Sequence, residues 1–293
     1  MPGPCTDQSR GGRGEPLLLV HGIGATWRAW NSVLPALRER HDALAISLPG
    51  FGRSPPLEGE PSVPALADAV EAELDAAGWD DAHLVGNSLG GWIAAELARR
   101  GRARSLAMIS PAGLTGTPER LRARTLTVAM HAGARLIYPV ADRMMRSTAI
   151  RTLAYVPIAA RGWRIPADDA AAEIRAGVDS PSFPAMLRWM SKAENVATGL
   201  DAIDCPVAVV WGTWDFLLPV RLAKRWDREL GGARVTLLPR VGHMAMTDDP
   251  EAVVAEILAV TGQHRGPDPL APSRPAAGRP RPSHATPSGP RRG

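Results

Sequence analysis

The chain has 293 residues, 45% of them hydrophobic, which is enough to bury one large core. No apolar run approaches the length of a membrane-crossing helix, the polar N-terminus lacks the apolar stretch of a signal peptide, and two cysteines are too few for a disulfide framework. The net charge of +4 says little about the folded part, because the segment from His264 to Gly293 alone carries six arginines against one aspartate.

Before Pro16 no strand pattern is visible, and residues 1–15 are read as an irregular segment. Leu17-Leu18-Leu19-Val20 is a buried-type strand followed by His21-Gly22-Ile23-Gly24, with Trp27 and Trp30 just downstream as either pocket wall or core. His21 is read as a residue that shapes the turn. A glycine-rich turn, Leu48-Pro49-Gly50-Phe51-Gly52-Arg53-Ser54, comes next. His83-Leu84-Val85 predicts a short strand and Trp92 to Ala98 a helix with Ile93 and Leu97 on one face. Between them lies Gly86-Asn87-Ser88-Leu89-Gly90.

That strand, turn and helix form the setting in which G-x-S-x-G becomes a nucleophile elbow. A chain that reverses from strand to helix within one turn holds its central residue in a strained conformation, and small flanking residues let the backbones pass. Ser88 then projects its hydroxyl outward. The amide of Leu89 points the same way at a helix start, where free N–H groups favour developing negative charge.

After a strand at Ser105–Ile109 the strand-like runs stop between Gly113 and Gly199. Helical patterns broken at Pro139, Pro157, Pro166, Pro181 and Pro184 take over, predicting four or five short helices. Apolar residues here, among them Met130, Ile137, Met144, Leu153, Tyr155, Trp163, Phe183, Met186 and Trp189, are available to line a pocket. The excess of arginine over acid in this stretch is read as a solvated face, with attraction of a carboxylate-bearing substrate as the alternative. Pro206–Gly212 is a strand covered on both faces, with Thr213-Trp214-Asp215 at its end. Arg234–Leu238 is a further strand, and Val241-Gly242-His243-Met244 follows it before Asp248-Asp249-Pro250 opens a helix.

A serine hydroxyl needs a base and a group to orient that base. Of seven histidines only His243 lies on a loop beyond a strand end in the chain order serine, acid, histidine; His41, His83 and His131 have ordinary settings, and His264 and His284 belong to the tail. Asp215 is the acid that fits this order, since the loop after Ile109 offers no carboxylate. Ser88, Asp215 and His243 are therefore the expected catalytic residues.

These motifs resemble the α/β-hydrolase superfamily, in particular its capped branch of esterases, lactonases, carbon–carbon bond hydrolases and cofactor-free haloperoxidases, over about Pro16 to Thr261. The resemblance implies an α/β fold with a mostly parallel central sheet flanked by helices. It implies a core of residues 16–114 and 200–263 and an inserted helical cap of 115–199. It also implies that the amide of Ile23 completes an oxyanion hole beside Leu89. Serine at the elbow disfavours the related epoxide hydrolases and haloalkane dehalogenases, which use aspartate there. Two departures stand out: Ser47 occupies a place where an acid is usual, and the β-hairpin that opens the family has no counterpart in Met1–Gly14, so either the chain begins late or the sheet lacks its first strands.

The expected activity is that of a cytoplasmic serine hydrolase cleaving a small or medium apolar ester, thioester or lactone through an acyl-enzyme. The alternatives are a carbon–carbon bond hydrolase of ring-cleavage diketones and a non-catalytic ligand-binding or accessory protein. No cofactor or metal is implied, because neither a clustered ligand set nor a phosphate-binding glycine loop is present. The Pro-, Arg- and Gly-rich tail, 264–293, cannot build a core and is expected to be disordered. It has no aromatic residues to stack on bases, so no specific nucleic-acid binding is expected.

Overall fold

The computed structural model describes residues 5–263. Seven strands form one sheet: β1 (Gln8–Gly11), β2 (Glu15–Val20), β3 (His41–Ile46), β4 (Ala82–Asn87), β5 (Ala103–Ile109), β6 (Val207–Gly212) and β7 (Arg234–Leu238). Their spatial order is β1-β3-β2-β4-β5-β6-β7, with every pair parallel except β1 with β3. The middle strands are apolar on both faces because helices cover both. Leu18 and Val20 join Leu84, Leu106, Met108 and Val209 under α2 (Val63–Ala76) and α3 (Leu89–Arg99). Leu17 and Leu19 join Val85, Ala107 and Val210 on the other face, against α1 (Leu34–Arg38) and the C-terminal helix, Pro250–Thr261.

β2 sits between β3 and β4, so the chain winds outward in both directions from the β2–β4 pair. The loops leaving the carboxyl ends of β2 and β4 thus lie side by side at the point where the strand order reverses, the usual ligand crevice of an open parallel sheet. His21-Gly22-Ile23 leaves β2 and Ser88 leaves β4 at this crevice.

Between β5 and β6 lie five helices: α4 (Thr117–Ile137), α5 (Ala141–Met145), α6 (Thr148–Tyr155), α7 (Ala167–Asp179) and α8 (Phe183–Met190). Their ends fall at the prolines. α4 stops before Pro139, α6 before Pro157 and α7 before Pro181, while Pro166 precedes α7 and Pro184 lies in the first turn of α8. The first of them is 21 residues long, not short. This insertion has its own small core of Ala141, Met145, Tyr155, Ile165, Ala170 and Ile174. After β6 come α9 (Arg221–Leu230), α10 (Ala245–Asp248) and α11 (Pro250–Thr261), the last capped by Asp249, whose side chain accepts from the Ala252 amide at 3.3 Å.

The N-terminal segment is not irregular throughout. Gln8–Gly11 is an edge strand, antiparallel to β3 with Gln8 opposite Ile46. Its polar sequence carries no apolar alternation because it borders solvent, and its register comes from the β3 backbone and from the residues just before it. Cys5 is fully buried in the core, and Asp7 anchors the turn after β3. The Asp7 carboxylate accepts from Ser47 Oγ at 3.0 Å and from the Arg53 amide at 3.3 Å, and pairs with the Arg53 guanidinium at 3.3 Å. The acid missing at position 47 is supplied from β1's side of the sheet, and Ser47 relays it to the Trp27 amide at 3.1 Å. A side chain at Gly52 would overlap the Asp7 carboxylate, which explains the glycine of that turn. Residues 264–293, read as a tail without a core, lie outside the described residues.

Candidate functional site

Ser88 is the hinge between β4 and α3, with φ 56° and ψ −115°, a region that non-glycine residues rarely occupy. Such a conformation costs on the order of 1–3 kcal/mol and persists because its surroundings over-determine it. The Ser88 amide donates to Ile109 O at 3.0 Å, and its carbonyl accepts from Ala112 N at 2.9 Å. The flanking glycines follow from crowding. A Cβ at Gly86 would overlap the Gly90 carbonyl, and one at Gly90 would overlap Val20 O and approach His21 O to 2.6 Å. The result is a hydroxyl at the start of α3, followed directly by the Leu89 amide, the first of a helix whose initial N–H groups have no partner in the preceding turn.

His243 and Asp215 meet from two different loops. The β6 and β7 loops are laced together, Thr213 N donating to Leu238 O and Trp214 N to Val241 O, each at 2.9 Å. This brings His243 Nδ1 to 2.7 Å from Asp215 Oδ2. The other oxygen, Asp215 Oδ1, accepts from the amides of Leu217 at 2.9 Å and Leu218 at 2.7 Å, which fixes the carboxylate's orientation. With Nδ1 donating to the carboxylate, Nε2 is left as the imidazole's acceptor. The backbone of His243 is held in turn: Asn87 Nδ2 donates to its carbonyl at 3.2 Å and to Ile109 O at 3.0 Å. The residue before Ser88 therefore anchors the backbone of His243.

Ser88 and His243 both face one cavity of about 560 Å³, together with Gly22, Ile23 and Gly24 of the β2 loop. The rest of the wall comes largely from the insertion: Met130 and Ile137 of α4, Met144, Leu153, Tyr155 and Phe183 among others. Trp163, Met186 and Trp189 do not line it. Trp30 is fully buried in the core and Trp27 packs beside it, so neither forms the pocket wall. Among the described residues no lysine or arginine lines this cavity, and the one carboxylate that does is Glu173 of α7. A smaller cavity of about 50 Å³ also reaches Ser88 and Ile23, from the side of Trp92, Leu187 and Arg120.

His21 has the structural setting expected of it. It is fully buried, its Nδ1 lies 2.7 Å from Gly22 O, and its Nε2 accepts from the Leu48 amide at 2.9 Å. Burial pushes its pKa down to about 4, which keeps the ring neutral and Nε2 free to accept. His83 is buried against Ser105 Oγ at 2.8 Å and Glu15, and His41 lies edge-on to it. Among the described residues no group of three or more His, Cys, Asp or Glu is arranged to hold a metal ion, and no helix is long and apolar enough to cross a membrane.

Two acids that the sequence reading did not single out tie the insertion to the site. Asp248 is fully buried, and its carboxylate accepts from the amides of Gly242 at 2.7 Å, Ala160 at 2.8 Å and Arg161 at 2.7 Å. It joins the residue before His243 to the loop after α6, where Ile158 O also accepts from Met244 N at 2.7 Å. Glu173 reaches across to the β2 loop and accepts from the Thr26 amide at 3.0 Å and from the Thr26 hydroxyl.

The family model for the alpha/beta hydrolase family matches residues 17–256. The chain belongs to that family. It is similar to the epoxide hydrolase EphH of Mycobacterium tuberculosis, 35% identical over 203 residues that span 66% of this chain and 92% of the relative. It is also 30% identical over 251 residues to the pimeloyl-[acyl-carrier protein] methyl ester esterase of Neisseria meningitidis, covering 82% of this chain and 75% of the relative. Among solved structures, a bacterial membrane phospholipase A is similar with a TM-score of 0.69 and 26% identity, over 87% of this chain and 81% of that one. The fold is the α/β-hydrolase fold, and the relatives include hydrolases, esterases among them.

Proposed function

We propose that this hydrolase cleaves a small or medium, uncharged and largely apolar carboxylic ester, thioester or lactone through a Ser88-His243-Asp215 triad. The observation that carries the reading is the shared cavity: Ser88 and His243, the latter joined to Asp215 at 2.7 Å, face one apolar chamber of about 560 Å³. His243 Nε2 takes the proton as Ser88 Oγ attacks the acyl carbonyl, and Asp215 stabilises the resulting imidazolium. The amides of Ile23 and Leu89 receive the oxyanion, an interaction in which each donor is worth about 3 kcal/mol of barrier. Collapse returns the proton from His243 to the departing alcohol or thiol. Water, deprotonated by the same histidine, then attacks the acyl-enzyme and releases the acid and Ser88.

Residues 115–199 act in this reading as a cap over a core of 16–114 and 200–263, excluding water from the reacting carbonyl. The larger chamber takes the acyl group and the smaller one the leaving group. With Glu173 as its only carboxylate and no cation in its lining, the larger chamber favours a neutral acyl group over one bearing a carboxylate. The name of the Mycobacterium tuberculosis relative does not transfer to the chemistry at Ser88. A serine opening an epoxide would form an ether, which has no carbonyl for water to attack, whereas an acyl ester on Ser88 is hydrolysable.

Steady-state assays with p-nitrophenyl esters of graded acyl length test the proposal. Each added methylene buried in the chamber is expected to raise kcat/KM by up to about fourfold until the chamber is full, from about 0.8 kcal/mol per methylene. Turnover of a vinylogous diketone or of styrene oxide, with none of the esters, would contradict it.

A further inference from the structure

One face of α7 is docked along the loop that follows β2. Asp169, Glu173 and Gly177 recur at four-residue intervals, so they lie in a row on the helix. Asp169 Oδ2 accepts from Asn31 Nδ2 at 3.0 Å. Glu173 accepts from both the amide and the hydroxyl of Thr26. Gly177 comes so close that a Cβ there would stand 2.9 Å from Gly24 O. The loop segment so gripped, Gly24–Asn31, begins one residue after Ile23 and is closed by a turn in which Ala25 N donates to Gly22 O at 3.3 Å. Thr26 is moreover the N-cap of the short 3₁₀ helix Trp27–Trp30, its Oγ accepting from the Arg28 amide at 3.3 Å. The Thr26 hydroxyl proton is therefore directed at Glu173.

From this row of contacts we infer that Glu173 is a positioning residue for the oxyanion hole: by clasping Thr26 it sets the Ile23 amide from the inserted helices, so that the hole is complete only when the insertion is seated. The inference rests on the serine-hydrolase reading above and adds to it a residue outside the triad. Both carboxylate oxygens are used by Thr26, and a carboxylate serves both donors at once. A protonated carboxyl retains one carbonyl acceptor and turns the other oxygen into a donor, so one of the two Thr26 bonds weakens.

The charged and titratable groups around Glu173 are few. Arg28 lies on the same loop, Asp169 on its own helix and Tyr155 on α6; His131 of α4 and His243 share the cavity. Asp142 of α5 is engaged by Arg175. Burial is the largest influence and pushes the carboxyl up to about 7, while the Thr26 bonds and Arg28 pull the other way. The clasp is thus strongest above neutrality. For folding the sign is opposite: the folded chain holds this proton more tightly than the unfolded one. Stability therefore falls as pH rises from the ordinary value of 4.5 to about 7 and is level beyond.

The test compares wild type, Glu173→Ala, Glu173→Gln and Thr26→Val with a neutral p-nitrophenyl ester, after fluorophosphonate labelling of each. Glu173→Ala and Thr26→Val are expected to lose about ten- to a hundredfold in kcat with KM within about twofold, the signature of a misplaced transition-state donor. Glutamine can accept from the Thr26 amide and donate to its hydroxyl, and should restore kcat to within about threefold at neutral pH. Should Glu173→Ala fail to fold, Thr26→Val and the kcat of Glu173→Gln decide. Wild-type labelling and turnover with undiminished kcat in Glu173→Ala or Thr26→Val, or a kcat in Glu173→Gln more than about tenfold below wild type, would overturn the positioning role and leave the hydrolase reading standing. Wild-type protein that neither labels nor turns over would remove both.

Discussion

Replacing His243 with alanine is expected to lower kcat for the best ester by about 10⁴- to 10⁶-fold while leaving the thermal midpoint close to that of the wild type. The size follows from the role: without Nε2 the Ser88 hydroxyl keeps its proton and is a weak nucleophile, so only oxyanion stabilisation and binding remain. The mild effect on folding follows from the neighbours. Asp215 still accepts from the amides of Leu217 and Leu218, so its buried carboxylate is not stranded, and the His243 backbone remains bonded to Asn87. Steady-state kinetics and a thermal melt on the same preparation check both halves. Retention of more than a tenth of wild-type kcat would remove His243 from the mechanism.

The second large effect is on stability. Asp248→Ala leaves three amides, the buried one of Gly242 and the partly buried ones of Ala160 and Arg161, without an acceptor. At about 1–3 kcal/mol for each orphaned donor, the loss should reach about 3–5 kcal/mol, or roughly 10 °C in midpoint. Activity falls with it, because Gly242 precedes His243 and the Ala160–Arg161 loop belongs to the inserted helices. Asp248→Asn keeps one strong acceptor and should lie between. A midpoint for the alanine variant within about 2 °C of wild type would show that the network is not the link between the insertion and the His243 loop.

The parts of the fold that could be read from the chain are those in which local sequence and crowding agree. Gly86 and Gly90 are demanded by backbone approaches of the turn itself, so the elbow at Ser88 is visible as a spacing. The strands β2 and β6 carry continuous apolar runs because both faces are covered, β4 contributes the shorter Leu84-Val85, and the ends of those strands mark Ile23, Ser88 and Asp215. β1 was missed because Gln8-Ser9-Arg10-Gly11 borders solvent and takes its pairing from β3. Asp7, Asp248 and Glu173 were missed because the partners through which they join distant segments, Ser47, Ala160 and Thr26, lie 40, 88 and 147 residues away in the chain. Nothing in the local pattern separates Asp248 from its neighbour Asp249, yet Asp249 caps α11 while Asp248 is buried beneath the His243 loop. The arginine excess of residues 115–199 likewise does not reveal that the large cavity is lined by none of these arginines.

The most direct measurement is intact-mass analysis of the folded protein after treatment with a fluorophosphonate, comparing wild type with Ser88→Ala. An activated Ser88 gives one adduct per chain in wild type and none in the variant. A folded wild type that takes up no probe, or an adduct that persists in Ser88→Ala, would contradict the assignment of Ser88 as the nucleophile.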